Sequence, residues 1–322
     1  MANRLPQKGD DVDVFEIRSS PKPVCGCAIP HDLLKKAANA CDLEGDRYVL
    51  WQGNNLMIRY GTREVNFNVK NLCTFDKNRF MEDLVKESSA NFHFGETLPP
   101  QKYGDYDLVI DASGLRAVLG KLPSDSFAIC YQAKVEFDQG LPFPDFFIDF
   151  PNSKEMYRWM FPLSPRVANV GYGAHDGSIA RSTVLNFVDR YHGRILEQNG
   201  RLLRLNPPHQ SRPFYQGNCV GVGGSIGSIS RIGEGNGPSI QSTMLLMENI
   251  DSPEKYQQTV LDQLGWLQDD FYAYGAWCNN EKVKMAFHLM KCGKHYDESF
   301  GIGIGQLFRS LSSMKKIEPL PP

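Results

Sequence analysis

Apolar positions along the chain recur in two rhythms, and the changes between them mark out the predicted elements. In the opening ANRLPQKGDDVDVFEIR, Leu5, Val12, Val14 and Phe15 are the inward positions, and Gly9 suits a helix stop. This predicts the last turns of a helix and then a strand that Glu16 ends. Pro6, which has no N–H to donate, fits only near the end of that helix. Segments 46–70 (RYVLWQ, NLMIRYG, REVNFNV) are rich in β-branched and aromatic residues separated by turn formers and predict a small antiparallel meander. FDKNRFMEDLVKES (75–88) switches to helical spacing, with Phe80, Met81 and Leu84 on one face and Asp76 as N-cap. YDLVIDASG (106–114) is an apolar run too short for a helix, so a buried strand ending in a turn is expected. From 127 to 173 strand-like segments alternate with Pro/Gly turns, predicting a second, mainly antiparallel sheet. TVLNFVDRYHGRILEQ (183–198) predicts a helix, GNCVGVGG (217–224) a buried strand, and GPSIQSTMLLMENI (237–250) a helix after a glycine-rich turn. Residues 253–322 read as mostly helical.

Composition narrows the class of function. With 322 residues, 41% hydrophobic and 22% charged, the chain can bury one large or two medium cores. A net charge of −2 and no Lys/Arg run argue against a nucleic-acid partner. No stretch approaches the roughly 18 uninterrupted apolar residues of a membrane span, so a cytoplasmic protein is expected. The eight cysteines, at 25, 27, 41, 73, 130, 219, 278 and 292, are scattered, and no second Cys/His pair stands at zinc-finger spacing to Cys25 and Cys27, so no metal is expected.

Three separated stretches fit one task. A strand ending in an acidic residue, Glu16, suits hydrogen bonding to ribose hydroxyls. VIDASG places Asp111, Ala112 and Gly114 at a second strand end. VGGSIGSISRIGEGNGPSI runs a strand into glycines and then a helix, whose N-terminus favours an anion. Each glycine turn alone is equally a tight connection needing positive φ. In this order, as in flavoproteins of the glutathione-reductase type, they gather around one FAD.

The stretch KPVCGCAIPHDLL (22–34), with MYRWMFP (156–162), NVGYG (169–173), SRPFY (211–215) and RIGEGNG, resembles the geranylgeranyl reductase family over about residues 2–250. The resemblance implies an α/β chain with an FAD-binding Rossmann-like three-layer domain (1–120 and 213–250), an antiparallel-sheet substrate domain (121–212) and a helical C-terminal region (251–322). It implies FAD held by Glu16, Cys25, Gly26, Arg79, Ala112, Gly114, Gly224, Gly235 and Asn236, with Cys25 near the reactive flavin edge. Packing in a tight turn is the competing reading of the Cys25/Cys27 pair. Tyr157, Trp159 and Phe161, alternating on a strand and followed by Pro162, would form either a core floor or an apolar wall for a long hydrocarbon chain. His175-Asp176 reads as a solvated turn, and FGIGIGQ as a C-terminal packed turn.

Two departures from the family pattern stand out. A first strand and GxGxxG turn are expected upstream, with Met1 inside the first helix. Gly223-Gly224 replaces a Gly-Asp pair, removing a charged hydrogen bond of about 1.5–3 kcal/mol. The implied activity is FAD-dependent saturation of C=C bonds in isoprenoid lipids or their precursors, with an electron donor the sequence does not name and transient contact with a membrane at whose periphery the protein would sit. An aromatic hydroxylase-type monooxygenase and a catalytically degenerate carrier of the same fold are the alternatives.

Overall fold

The computed structural model describes the chain except residues 4, 6–8, 21–24, 151–155, 232, 304, 307–308, 310–314 and 317–322. In chain order the elements are β1 (Asp13–Glu16), β2 (Ala28–Pro30), α1 (His31–Asn39), β3 (Val49–Tyr60), β4 (Arg63–Phe75), α2 (Lys77–Lys86), β5 (Asn91–Phe94) and β6 (Val109–Asp111). There follow β7 (Phe127–Phe137), β8 (Phe146–Phe150), β9 (Arg158–Pro162), β10 (Val167–Ala174), α3 (Gly177–Arg190), β11 (Gly193–Arg204), β12 (Tyr215–Gln216) and β13 (Cys219–Gly221). Helices α4 (Asn236–Glu248), α5 (Pro253–Gln263), α6 (Trp266–Cys278) and α7 (Lys282–Phe300) and the short β14 (Lys315–Lys316) complete it.

The large sheet has the order β11-β7-β10-β9-β8-β3-β4-β14, with β2 paired to β4. Its strands alternate as half-buried strands should: on β4, Val65, Phe67 and Val69 point inward between exposed neighbours. One face packs against α3, where Val135, Met160, Val170, Val184 and Phe187 form a core. The opposite face carries Trp159 and Phe161, which line the cavity described below. On α3, Asp176 accepts the Ser178 N–H at 2.8 Å as N-cap, which is the role of the polar His175-Asp176 turn. Asp76 likewise caps α2, accepting the Arg79 N–H.

Within the large sheet β3 and β8 run parallel, and two further sheets hold the other parallel pairs. β1 lies parallel to β5, and β6 lies parallel to β13, which also pairs with β12. The buried strands expected at 106–114 and 217–224 are therefore neighbours, and their carboxyl ends open on the same side. Around the second of these sheets, α4 and α5 bury Leu245, Leu246, Tyr256 and Val260 against Phe214, Val220 and Val222.

Three expectations need correction. The meander over 46–70 is instead one long strand, β3, hairpinned to β4. The turn-like residues around Gly53 form a bulge, where the Asp145 carboxylate accepts the Asn54 and Asn55 N–H groups at 2.8 and 2.9 Å. The helix expected over 183–198 stops at Arg190. His192 takes a φ of 51°, and the chain turns back as β11. A Cβ at Gly193 would fall 2.4 Å from Val135 Cγ1, so the bare glycine lets this strand close on β7. Finally, β2, β3 and β4 belong to the large sheet, so the sheets do not divide at residue 120 as expected. Pro6 and part of the first turn fall outside the described residues. Among the described residues, no helix is long and apolar enough to cross a membrane.

Candidate functional site

A cavity of about 1230 Å³ lies between the large sheet, the glycine turns after β6 and β13, and helices α6 and α7. Drug-sized ligands occupy roughly 300–1,000 Å³, so this space admits a large cofactor together with a second molecule. Of the residues expected from sequence, Cys25, Gly26, Ala112, Gly114, Gly224, Gly235 and Asn236 line it, as do Tyr157, Trp159 and Phe161. Glu16, Arg79 and Pro162 do not. Glu16 accepts the Arg18 N–H at 3.0 Å at the end of β1, Arg79 points to solvent from α2, and the Pro162 carbonyl accepts the Thr74 hydroxyl.

The glycine-turn end is held by Asp111. Its carboxylate, 1% exposed, accepts the Ser113 N–H and hydroxyl at 3.1 and 2.6 Å, the Ser225 hydroxyl at 2.8 Å, and the Val118 and Leu119 N–H groups at 3.0 and 3.1 Å. Ser225 in turn accepts the Gly114 N–H at 3.1 Å. One buried carboxylate thus ties the turn after β6 to the turn after β13. The two meet so closely that a Cβ at Gly224 would sit 3.0 Å from both Gly114 Cα and Gly114 O. A side chain at 224 would press on the Gly114 backbone and need it to shift by a few tenths of an ångström, a crowding that Gly-Gly in place of Gly-Asp avoids.

The Cys25–Cys27 turn lies across the cavity face of the large sheet. Gln132 Nε2 donates to the Cys25 carbonyl at 3.0 Å, and Asn169 Nδ2 to the Gly26 carbonyl at 3.3 Å. A Cβ at Gly26 would fall 2.9 Å from the Phe161 ring, so only glycine lets the turn lie flat on that wall. The Cys25 thiol faces the N-terminus of α4, where Asn236 Nδ2 approaches Sγ at 3.2 Å and the Cys27 N–H donates to it at 3.3 Å. Lys77 Nζ donates to Asn236 Oδ1 at 2.7 Å. Hydrogen bonding with Cys27, followed by the Lys77 charge, holds this thiol well below the ordinary range against the opposing effect of burial. The partner Cys27 thiol is pushed well up by the same contact and by burial.

The aromatic wall has its own logic. Tyr157, Trp159 and Phe161 share one face, their ring centroids 5.7 and 6.4 Å apart. Gly171, opposite Trp159 on β10, leaves the space the indole fills, since a Cβ there would fall 2.0 Å from Trp159 Cζ2. Gly173 does the same for Met156. The NVGYG pattern is therefore the bed on which the Tyr-x-Trp-x-Phe strand lies. Two polar atoms of this wall, Trp159 Nε1 and Gln132 Oε1, are buried without a protein partner. An aromatic wall with glycine turns opposite, across a cavity of this size, fits a large heteroaromatic ring such as a flavin.

Sequence reading missed the polar groups at the helical end. Asp270 on α6, 3% exposed, accepts the Arg231 N–H at 2.6 Å and the Tyr296 hydroxyl at 3.3 Å. Glu234 meets His295 at 2.9 Å, and His295 stacks on Trp266. Burial raises the Asp270 carboxyl to about 6, aided by the nearby Glu234 charge. Its unfolded value is about 3.9, so the fold binds more protons than the unfolded chain between these values. Stability should therefore fall as pH rises through that window, by roughly 3 kcal/mol in all. Asp270→Asn removes this dependence, and urea titrations from pH 4 to 7.5 should show the variant gaining on the wild type by that amount. A pH-independent difference would mean that Asp270 titrates normally. The signal for Gln132 was present, a lone amide in AICYQAKV, where Lys134 is the one charged residue; Asp270 and Glu234 meet only through tertiary packing.

No protein-family model matches the chain, and no curated protein matches it in sequence. Solved structures do. A geranylgeranyl bacteriochlorophyll reductase-like protein from Thermoplasma acidophilum superposes with a TM-score of 0.66 at 16% identity, over 88% of this chain and 84% of that one. A flavin-dependent halogenase from Xanthomonas campestris gives 0.61 at 15% identity, over 84% and 74% of the two chains. A second halogenase, from a Brevundimonas species, gives 0.61 at 13%, over 85% and 75%. The chain therefore shares its α/β fold with a reductase-like protein and with flavin-dependent halogenases.

Proposed function

We propose that this chain is an FAD-dependent oxidoreductase that saturates C=C bonds of isoprenoid chains carried on lipids or lipid precursors. The observation that carries the reading is the make-up of one continuous cavity. One end has glycine turns, a helix N-terminus and a thiol; the remainder is walled mainly by hydrocarbon and aromatic side chains, among them Leu56, Ile58, Phe146, Ile148 and Phe150, with Glu234 and Asp270 at its helical end. Such a wall offers a substrate shape and burial instead of polar handles.

Gly114, Gly224, Gly235 and Asn236 are the residues that would hold the cofactor, with Gly26 and Cys25 against its ring. FAD, when bound and reduced, supplies a hydride to one alkene carbon. The other carbon needs a proton, and Cys25 is the titratable group set beside the turns that would carry the ring. Lys77 and Asn236 fix its thiol, and the aromatic wall excludes water and aligns the chain.

The test is reconstitution. Protein titrated with FAD should quench flavin fluorescence and yield a yellow complex that dithionite bleaches. Adding a geranylgeranyl-bearing lipid without oxygen should then restore the oxidised spectrum, and mass spectrometry should show one H₂ gained per double bond. The halogenase fold neighbours favour a second reading, a monooxygenase acting on an aromatic substrate. Oxygen uptake driven by NAD(P)H with a phenolic substrate, and no alkene reduction, would select it. A protein that takes up no FAD would be a carrier.

A further inference from the structure

The cavity has a rim. Among its lining residues, Ala112, Leu202 and Gly233 are exposed near the glycine turns and β11, and at the other end Arg63, Asn280, Glu281 and Lys282 are exposed and Tyr60 is 39% exposed. The second group belongs to the tip of the β3–β4 hairpin and the corner between α6 and α7, so the cavity has a mouth there, at the end away from the glycine turns. Beside the opening, the two helices expose Tyr272 (47%), Val283 (86%), Phe287 (50%) and Met290 (43%). Four of the ten large hydrophobic side chains exposed among the described residues thus gather on this hairpin.

Helix α7 divides its faces sharply. Lys282, Met285, Leu289, Tyr296 and Phe300 recur at helical spacing along the cavity. Val283, Phe287, Met290 and Lys294 follow the same spacing on the outer side. From Lys282 to His295 the sequence holds four lysines and no carboxylate. The acidic side chains facing this stretch are Glu281, Asp269 and Glu298, which reach Lys284, Lys291 and Lys294 at 3.2, 3.4 and 3.7 Å, with Asp269 also meeting His288 at 2.7 Å and Glu234 meeting His295 at 2.9 Å. An apolar strip set among lysines is the pattern of a helix that beds into the headgroup region of an anionic bilayer.

We propose that the α6–α7 hairpin docks this protein on an anionic membrane surface, so that a lipid-borne chain passes from the bilayer directly into the cavity mouth. The inference rests on the lipid reading of the substrate. What favours a bilayer over a protein partner is position: the apolar strip and the lysines border the opening of a hydrocarbon-lined space.

The experiment is co-sedimentation of the full chain with phosphatidylcholine vesicles made with and without phosphatidylglycerol. Wild type is expected to bind the anionic vesicles and to lose them in high salt. The double variant Val283→Ser/Phe287→Ser should bind at least tenfold more weakly, and Lys284→Glu/Lys294→Glu should lose roughly fivefold or more for each lysine. Circular dichroism melts, unchanged because these side chains are exposed, exclude misfolding. Equal binding by the variants, or no vesicle binding by the wild type, overturns the proposal. So does a concentration-dependent dimer that Val283→Ser/Phe287→Ser abolishes while vesicles go unbound. Because binding is read without turnover, loss of docking alongside intact reduction of a detergent-dispersed lipid would leave the proposed activity standing.

Discussion

Asp111→Ala is expected to destabilise the fold by roughly 3–5 kcal/mol, seen as a lower urea midpoint, because it strands several donors at once, the Ser225 hydroxyl and the Leu119 N–H among them in buried surroundings. Three backbone N–H groups and the Ser113 and Ser225 hydroxyls lose their acceptor at once, and with them goes the link between the turns after β6 and β13. Asp111→Asn keeps the shape and one acceptor, and should lose roughly half as much. The pH response separates charge from shape. Burial alone would push this carboxyl up, but the hydrogen bonds from Ser113, Leu119 and Ser225 outweigh it and hold it below its usual value. A depressed carboxyl stabilises the fold above the unfolded value of about 3.9 and ceases to do so as pH falls through its folded value. The gap between wild type and Asp111→Asn should therefore be widest near neutrality and shrink in acid. A gap that does not change with pH would mean that the carboxylate's charge contributes nothing.

The second large effect concerns Cys25. At pH 7 it should be alkylated by iodoacetamide faster than an ordinary cysteine, because its thiol is held well below the ordinary range and so carries a larger thiolate fraction than a free thiol. Peptide mapping should find it labelled ahead of Cys27, and ahead of Cys73 and Cys130, which burial raises to about 12. Lys77→Met should move the inflection of the alkylation profile upward, since the ammonium is one of the groups holding the thiol down. FAD, if it lies against Gly26 as proposed, should protect Cys25 from the reagent. Turnover in Cys25→Ser should fall about a hundredfold, the usual loss when a proton-transfer group is replaced. Labelling of Cys25 only above pH 9, or full turnover in the serine variant, would remove it from the chemistry.

What could be read from the sequence was local or ordered along the chain. The strand ending at Glu16, the capped helix after Asp76 and the order of the glycine turns all follow from spacing and turn chemistry. The alternation of Tyr157, Trp159 and Phe161 likewise showed which side chains share a face. What escaped reading depends on contacts between distant segments. Gly53 looks like a turn until Phe146 and Asp145, some ninety residues on, reveal a bulge. RYHGRILEQ keeps a helical look until β7 offers it a ladder. Asp270, His295 and Tyr296 carry no motif, and only the folding of α6 and α7 over the cavity brings them to Glu234 of the RIGEGNG turn. Glu16 and Arg79 show the reverse case, residue types suited to a nucleotide site that the structure places away from the cavity.

The glycines beneath Trp159 and Met156 carry one more implication. Because the indole occupies the space a side chain at 171 would claim, positions 159 and 171 act as a single steric unit spanning two strands. Any enlargement at 171 must lift the ring into the cavity or be offset by a smaller ring. The bore of the chamber, and so the girth of whatever enters it, is set by how closely one β-strand lets its neighbour's aromatic ring settle onto bare backbone.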